Sequence, residues 1–237
     1  MAIKHSDSTG RARAVPSGGD LRLTVDGRLG LSVDAVAAVS AVCDTAEDLE
    51  GQARVVVHVC GTPREPRLPG DVTVGLVNKW ERVLRRLERL PAVTVAVADG
   101  DCGGTALDAL LATDYRIATG AVRLTVPVQD GATWPGMALY RLARNGASAA
   151  AIRRAALFGT PIGAADALAL HLVDELAEDR DAALAALAER AGALAGGELA
   201  IRRQLLLDAA TVSFEEALGS HLAACDRALR RAAAEAA

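Results

Sequence analysis

The segment 92–114, AVTVAVADGDCGGTALDALLATD, constrains this chain more than any other. Ala92 to Ala98 carries no charge and is built from Val, Ala and one Thr, which suits a strand buried on both faces, as in a parallel sheet. Gly103 and Gly104 follow, and then apolar residues at helical spacing (Leu107, Leu110, Leu111), so a helix is expected from about Thr105 to Asp114. Adjacent glycines at a strand-to-helix turn let main-chain amides approach a ligand closely. The first amides of a helix lack intrahelical acceptors and sit at the positive end of its dipole. Such a place suits an anion, either a bound phosphate or an oxyanion that develops during reaction. A turn that simply packs helix on strand uses the same glycines. The pattern is neither GxGxxG nor GxxxxGK[ST], which removes the main support for a dinucleotide or P-loop reading. Thr105, Asp108 and Ala112 fall on a different helix face from the leucine stripe, and Asp108 is a candidate base there. An Asp in an early helical turn is also favoured by the dipole alone.

The flanking sequence supplies the rest of an α/β chain. Leu21 to Val25 alternates apolar and polar residues and reads as a strand, Ser32 as an N-cap, and Val33 to Leu49 as an amphipathic helix. Arg54 to Val59 is a buried strand, and Pro63, Pro66 and Pro69 make Gly61 to Gly70 an irregular loop. A second helix runs from Val77 to Leu90, with Glu81, Arg82, Arg85, Arg86 and Arg89 on its wet face and Pro91 closing it. Tyr115 to Ala118 and Val122 to Val126 read as strands, and Pro127 to Gly136 as a loop. From Met137 the chain is helical, broken at Gly159 to Pro161 and at Gly196-Gly197, with a short extended piece at Leu172 to Glu175.

With 51% hydrophobic but only 3% aromatic residues, the core must be made of Ala, Leu and Val. Lys and Arg number 26 against 30 Asp and Glu, a net charge of -4, without a basic block, so nucleic acid is not an expected partner. Cys43, Cys60, Cys102 and Cys225 are too scattered for a metal site or a disulfide framework, which suits a reducing cytoplasm. No apolar run approaches the roughly 18 to 20 residues that cross a bilayer, so no membrane association is expected. Residues 1–20 lack an apolar stretch and read as a disordered tail, not a signal peptide.

Other chemistry-bearing residues are weaker candidates. His58 lies in an apolar strand and His171 at a helix end, and no Ser or Cys partner completes a triad. Cys102 would be reactive if the helix dipole lowered its pKa. Trp134, before Pro135-Gly136, suits the wall of an apolar pocket, or a core or lid position.

Residues 93–114 resemble the crotonase (enoyl-CoA hydratase/isomerase) signature, in which a strand, a glycine turn and a helix ending in Asp follow one another. The resemblance continues through Tyr115-Arg116-Ile117-Ala118, Pro127, Pro135-Gly136, Leu157-Phe158-Gly159 and Ala164 to Glu175. It spans about residues 20 to 235 and is specific from about 90 to 175. It implies a spiral of ββα repeats over 21–195 and a C-terminal helical trimerisation region over 196–237, in a homotrimer or hexamer. The ligand it implies is an acyl-CoA, with coenzyme A as part of the substrate and no other cofactor. Two amides would hold the thioester oxygen, those of Thr105 and of Leu68 in Leu68-Pro69-Gly70-Asp71, where Pro69 cannot donate. Gly104, Val128 and Trp134 would lie in the substrate pocket. The family's two catalytic glutamates map to Asp108 and Val128, so one of the pair is apolar here; Asp130 or Asp101 would be substitutes.

The phrases VNKWERVLRRLERLPA, GDCGGTALDALLATDYRIA and WPGMALYRL are similar to the hydratase-like auxiliary proteins of 3,5-dihydroxyphenylglycine formation in glycopeptide-antibiotic pathways. That resemblance implies a lyase acting on an acyl-CoA or carrier-linked polyketide thioester. Its role would be to assist dehydration and aromatisation to 3,5-dihydroxyphenylacetyl-CoA, beside a polyketide synthase and a hydratase paralogue. Val128 favours a different reading, a catalytically degenerate subunit that supports such partners.

Overall fold

The computed structural model describes residues 19–50, 52–64, 72–129, 131–191 and 197–235. Of the residues singled out above, the tail up to 18, Leu68 with its neighbours to Asp71, and Asp130 lie outside these.

Three parallel strands form the centre: β1 (Asp20–Asp26), β2 (Arg54–Gly61) and β3 (Thr94–Gly103). Helix α1 (Val33–Asp48) connects the first two; it starts where Ser32 Oγ accepts the Ala35 amide at 3.1 Å. Helix α2 (Val74–Leu87) connects the next two. It begins three residues earlier than expected, because Thr73 Oγ1 caps the Leu76 amide and adds the turn from Val74.

Strand β3 is longer than the sequence suggests. The expected turn at Asp99 to Gly104 is mostly strand: the ladder with β2 slips between Cys60 and Gly61, so that Cys60 faces Asp99 while Gly61 faces Cys102. The extra residues form a bulge at Gly100, whose φ of 63° is natural for glycine. Residues 95–98 pair in parallel with β4 (Tyr115–Ala118), whereas 101–103 pair with β5 (Arg123–Thr125). The sheet thereby branches at β3, and the strand leads into α3 (Thr105–Leu111).

Beyond β5 the expected loop contains a small antiparallel hairpin, β6 (Val128–Gln129) with β7 (Ala132–Thr133). Two-residue strands are too short to show a period-2 pattern, which explains why the sequence hides them. Then come α4 (Met137–Asn145), α5 (Ala149–Phe158), β8 (Ile162–Gly163) antiparallel to β5, α6 (Ala164–Ala169), β9 (Glu175–Leu176) beside β4, α7 (Arg180–Ala191), α8 (Gly197–Asp208) and α9 (Phe214–Glu235).

Alternation along the central strands sorts the core into two layers. Val55, Val57, Ala96 and Ala98 face α1, α2 and α3 with Leu84, Leu107 and Leu110. Val56, Val95, Val97 and Ile117 face the other way, onto Ala183, Leu184 and Leu187 of α7. Among the described residues no helix is long and apolar enough to cross a membrane.

Helix α3 stops at Leu111, three residues short of the expected Asp114. Asp114 is drawn instead to β3: its Oδ2 accepts from the Thr94 amide and hydroxyl, both at 2.9 Å. Arg203 of α8 completes the knot, donating to both Asp114 oxygens at 2.7 and 2.6 Å, to the Ala92 carbonyl at 2.8 Å and to the Leu90 carbonyl. Arg203 is only 8% exposed, so these bonds replace its hydration. Breaking such a pair from one side leaves a buried charge uncompensated. Arg203→Ala is expected to lower stability by on the order of 3 kcal/mol, read by urea unfolding at fixed protein concentration; a change below about 0.5 kcal/mol would show that the knot contributes little.

Candidate active site

A cavity of about 280 Å³ opens where β3 hands over to α3. Its floor is Gly104, Thr105 and Asp108. Val77, Trp80 and Glu81 of α2 form one wall, and Pro127, Gln129 and Trp134 form another. Leu29 to Leu31 and Pro63 close the sides, with Arg28 and Arg64 at the edge.

Gly104 makes the turn into α3 with φ 58°, ψ −130°. A Cβ there would also sit 3.0 Å from Pro63 Cγ, so both conformation and space require glycine. At Gly103 a Cβ would come within 2.5 Å of Thr62 Oγ1. The Thr105 amide that follows is the first of α3 and has no acceptor within the helix, and its residue borders the cavity.

Helix α3 has no wet face. All seven of its residues are buried, so the face holding Thr105 and Asp108 looks into the cavity and not outward. The Asp108 carboxyl is 7% exposed and receives a hydrogen bond from Trp80 Nε1–H at 3.0 Å on Oδ2. Burial first, and then the negative charge of Glu81, push its pKa up to about 7, while the Trp80 bond and the charge of Arg141 pull the other way. A carboxyl poised near neutrality can both give and take a proton.

Glu81 and Trp80 line this cavity too, and sequence reasoning missed both. Glu81 belongs to the cavity wall and not to the wet face of α2. Its Oε2 accepts from Arg141 Nη1 at 2.9 Å, and the Arg141 Nε donates to Glu88 Oε1 at 2.7 Å. The signal was present: Glu81 stands four residues after Val77 and three before Leu84, on the apolar stripe. Trp80 buries its ring in the core, yet its N–H reaches the carboxyl of Asp108.

Gly104, Thr105, Asp108 and Trp134 line one cavity. Val128 does not join them. It lies on the hairpin, 46% exposed, and faces Gly159, where an added Cβ would meet Val128 Cγ2 at 2.5 Å. Neighbouring strand residues point to opposite faces, so Gln129 takes the cavity side. The Gln129 Oε1 is buried and has no protein partner among the described residues, which leaves it to a donor on a ligand or a water.

The weaker candidates lie elsewhere. Burial pushes the Cys102 thiol far above the range of a reactive thiolate. Asp101 is an exposed partner of Arg123 at 2.7 Å. His58 and His171 do not border the cavity; burial lowers the pKa of His58, and Arg22 and Arg180 lower it further. Among the described residues, no group of three or more His, Cys, Asp or Glu side chains is placed to hold a metal ion.

The cavity thus brings a main-chain donor and a buried acid together at a glycine turn of an α/β fold. Comparison with known proteins supplies the class. No family model matches the chain. An "Enoyl-CoA-hydratase" of Amycolatopsis orientalis is 55% identical over 215 residues, 91% of this chain and 98% of that one. A crystal structure of an enoyl-CoA hydratase/isomerase from Marinobacter aquaeolei has TM-score 0.78 at 20% identity, covering 91% of this chain and 90% of the other. A Thermobifida fusca structure in complex with acetoacetyl-CoA has TM-score 0.68 at 17% identity, over 92% and 94%. The chain belongs to the enoyl-CoA hydratase/isomerase, or crotonase, family, and its fold is the crotonase α/β fold.

Because the folded carboxyl of Asp108 holds its proton to about pH 7 and an unfolded one only to about pH 4, the folded state binds the extra proton between those values. Stability from this group is therefore full below pH 4 and falls as pH rises towards 7. Asp108→Asn, which keeps an acceptor for Trp80, is expected to be the more stable protein at pH 8, by on the order of 3 kcal/mol. The gap should close as pH approaches 4. Paired urea titrations at pH 4.5 and 8 check this; an Asn variant less stable at both would contradict the buried acid.

Proposed function

We propose that the protein acts as an enoyl-CoA hydratase/dehydratase on an acyl thioester, with the Thr105 amide and an amide near Leu68 holding the thioester oxygen. Asp108 moves the proton. The observation that carries this reading is a carboxyl poised near neutrality on the same cavity floor as the first amide of α3. As a Cα–H bond breaks, charge gathers on the thioester oxygen, and a fixed N–H donor there lowers the barrier more than mobile water would. Membership of the family, and the name of the 55% identical relative, support the same chemistry.

The finer reading is that the thioester is a polyketide on CoA or a carrier, and that loss of water leads on to 3,5-dihydroxyphenylacetyl-CoA in antibiotic biosynthesis. It is supported by the sequence phrases quoted above. A polar chain also suits the wall at Gln129, whose free oxygen would accept from a substrate hydroxyl. Arg64 at the edge offers positive charge to an anionic carrier group, whereas Arg28 beside it is paired with Asp26.

We also place the self-association surface at the C-terminal helices, in a trimer or hexamer. Phe214, Leu218, Leu222 and Leu229 recur along one face of α9 and are 74, 41, 58 and 70% exposed, more apolar surface than a lone helix needs. The degenerate-subunit reading rests on Val128, which offers no acid at the second position of the family pair.

Purified protein given a short enoyl-CoA is expected to hydrate it, and Asp108→Ala to lower kcat by roughly 10² to 10⁴-fold. Hydration undiminished by the substitution would remove Asp108 from the mechanism. Absence of turnover in the wild type, on this substrate and on a linear polyketide thioester scored for 3,5-dihydroxyphenylacetyl-CoA, would favour the supporting subunit.

A further inference from the structure

We propose that Glu81 is the second acid/base group of this site, so that the carboxylate pair is formed by α2 and α3 and not by α3 and the β6–β7 hairpin. This rests on the hydratase/dehydratase reading above and supplies the partner that Val128 cannot be.

Three observations converge on Glu81. It lines the same cavity as Asp108, next to Trp80, which holds the Asp108 carboxyl from the preceding position of the helix. Its negative charge is felt at Asp108. It is also fixed in place: Arg141, 7% exposed at its side chain, grips Glu81 Oε2 on one side and Glu88 on the other. No other hydrogen bond engages the second Glu81 oxygen among the described residues. Glu81 stands in the wall between this cavity and a second one of about 510 Å³, whose lining includes Arg82, Arg85, Glu88 and Arg141. Among the described residues, Cys102 is within electrostatic reach of Asp108, and Arg64 and Arg28, the latter paired with Asp26, line the cavity.

The division of labour follows. In dehydration of a 3-hydroxyacyl thioester, the Glu81 carboxylate takes the Cα proton, and the C–H electron pair moves onto the thioester oxygen. The enolate then returns its electrons to form the Cα–Cβ double bond, the Cβ–O bond breaks, and Asp108 gives its proton to the departing hydroxide, releasing water. Glu81 ends protonated and Asp108 ionised; one proton passing between them, directly or through water, restores the site. Hydration is the same sequence reversed.

The test uses the full chain, a short 3-hydroxyacyl-CoA and four proteins: wild type, Glu81→Gln, Glu81→Asp and Glu47→Gln. Glu81→Gln is expected to lower kcat about 10²-fold or more with KM changed by less than about threefold. Glu47→Gln, which takes a charge from Arg86 on the outer side of α2, away from the cavity, should stay within about twofold. Glu81→Asp should recover at least a tenth of wild-type kcat; if it recovers no more than Gln, the loss belongs to packing and the role is overturned. Independently of any substrate, the ¹³C resonance of the Asp108 carboxyl should titrate at lower pH in Glu81→Gln than in wild type, because a negative neighbour has been removed. An unmoved midpoint would overturn the pairing. Wild-type turnover that Glu81→Gln retains overturns this inference and leaves the proposed function standing. A wild type without turnover on this substrate and on the linear polyketide thioester removes the proposed function, and the catalytic role of Glu81 with it.

Discussion

Because β3 pairs through 95–98 with β4 and, past the bulge at Gly100, through 101–103 with β5, one strand has to satisfy two parallel neighbours before it releases the chain into α3. The hydrogen-bond ladder fixes where Gly103 ends, and with it where the turn at Gly104 and the first amide of α3 stand. Those two glycines are crowded by Thr62, Pro63 and the Thr125 carbonyl, so the turn has almost no freedom to drift. The proposed chemistry is referred to that point, because a donor misplaced by an ångström loses most of its value to a developing charge.

The second constraint is electrostatic. Helix α3 is buried all round, which would be unremarkable in a core helix were it not for Asp108. Its carboxyl is kept there with one indole N–H for company and the negative charge of Glu81 near, in surroundings that disfavour its own ionisation. The protein gives up stability at neutral pH to hold an acid in this state, a common arrangement at functional sites. Arg141 limits that cost: buried between Glu81 and Glu88, it balances charge without bonding to Asp108 itself.

Some residues that looked chemical are structural, and the reverse. Asp114 ends the recognisable segment, yet it closes a knot of Thr94, Arg203 and two main-chain carbonyls and takes no part in the cavity. Glu81 sat among arginines in a stretch whose overall charge suggests solvent, and only its register on the helix hinted otherwise. Val128 and Gln129 exchange roles for the simplest reason, since adjacent residues of a strand face opposite sides.

The sequence by itself determined the elements that local chemistry specifies: buried strands at 54–59 and 92–98, the capped helix from Val33, the glycine turn and the acid at position 108. Each follows from periodicity, caps or backbone freedom, which act over a few residues. Only the tertiary structure decided which side chains meet. The bulge at Gly100 depends on a partner strand forty residues away, the knot at Asp114 on an arginine in α8, and the Glu81–Arg141–Glu88 arrangement on two helices packed against each other. Contacts of that kind depend on long-range packing, which no window of sequence contains.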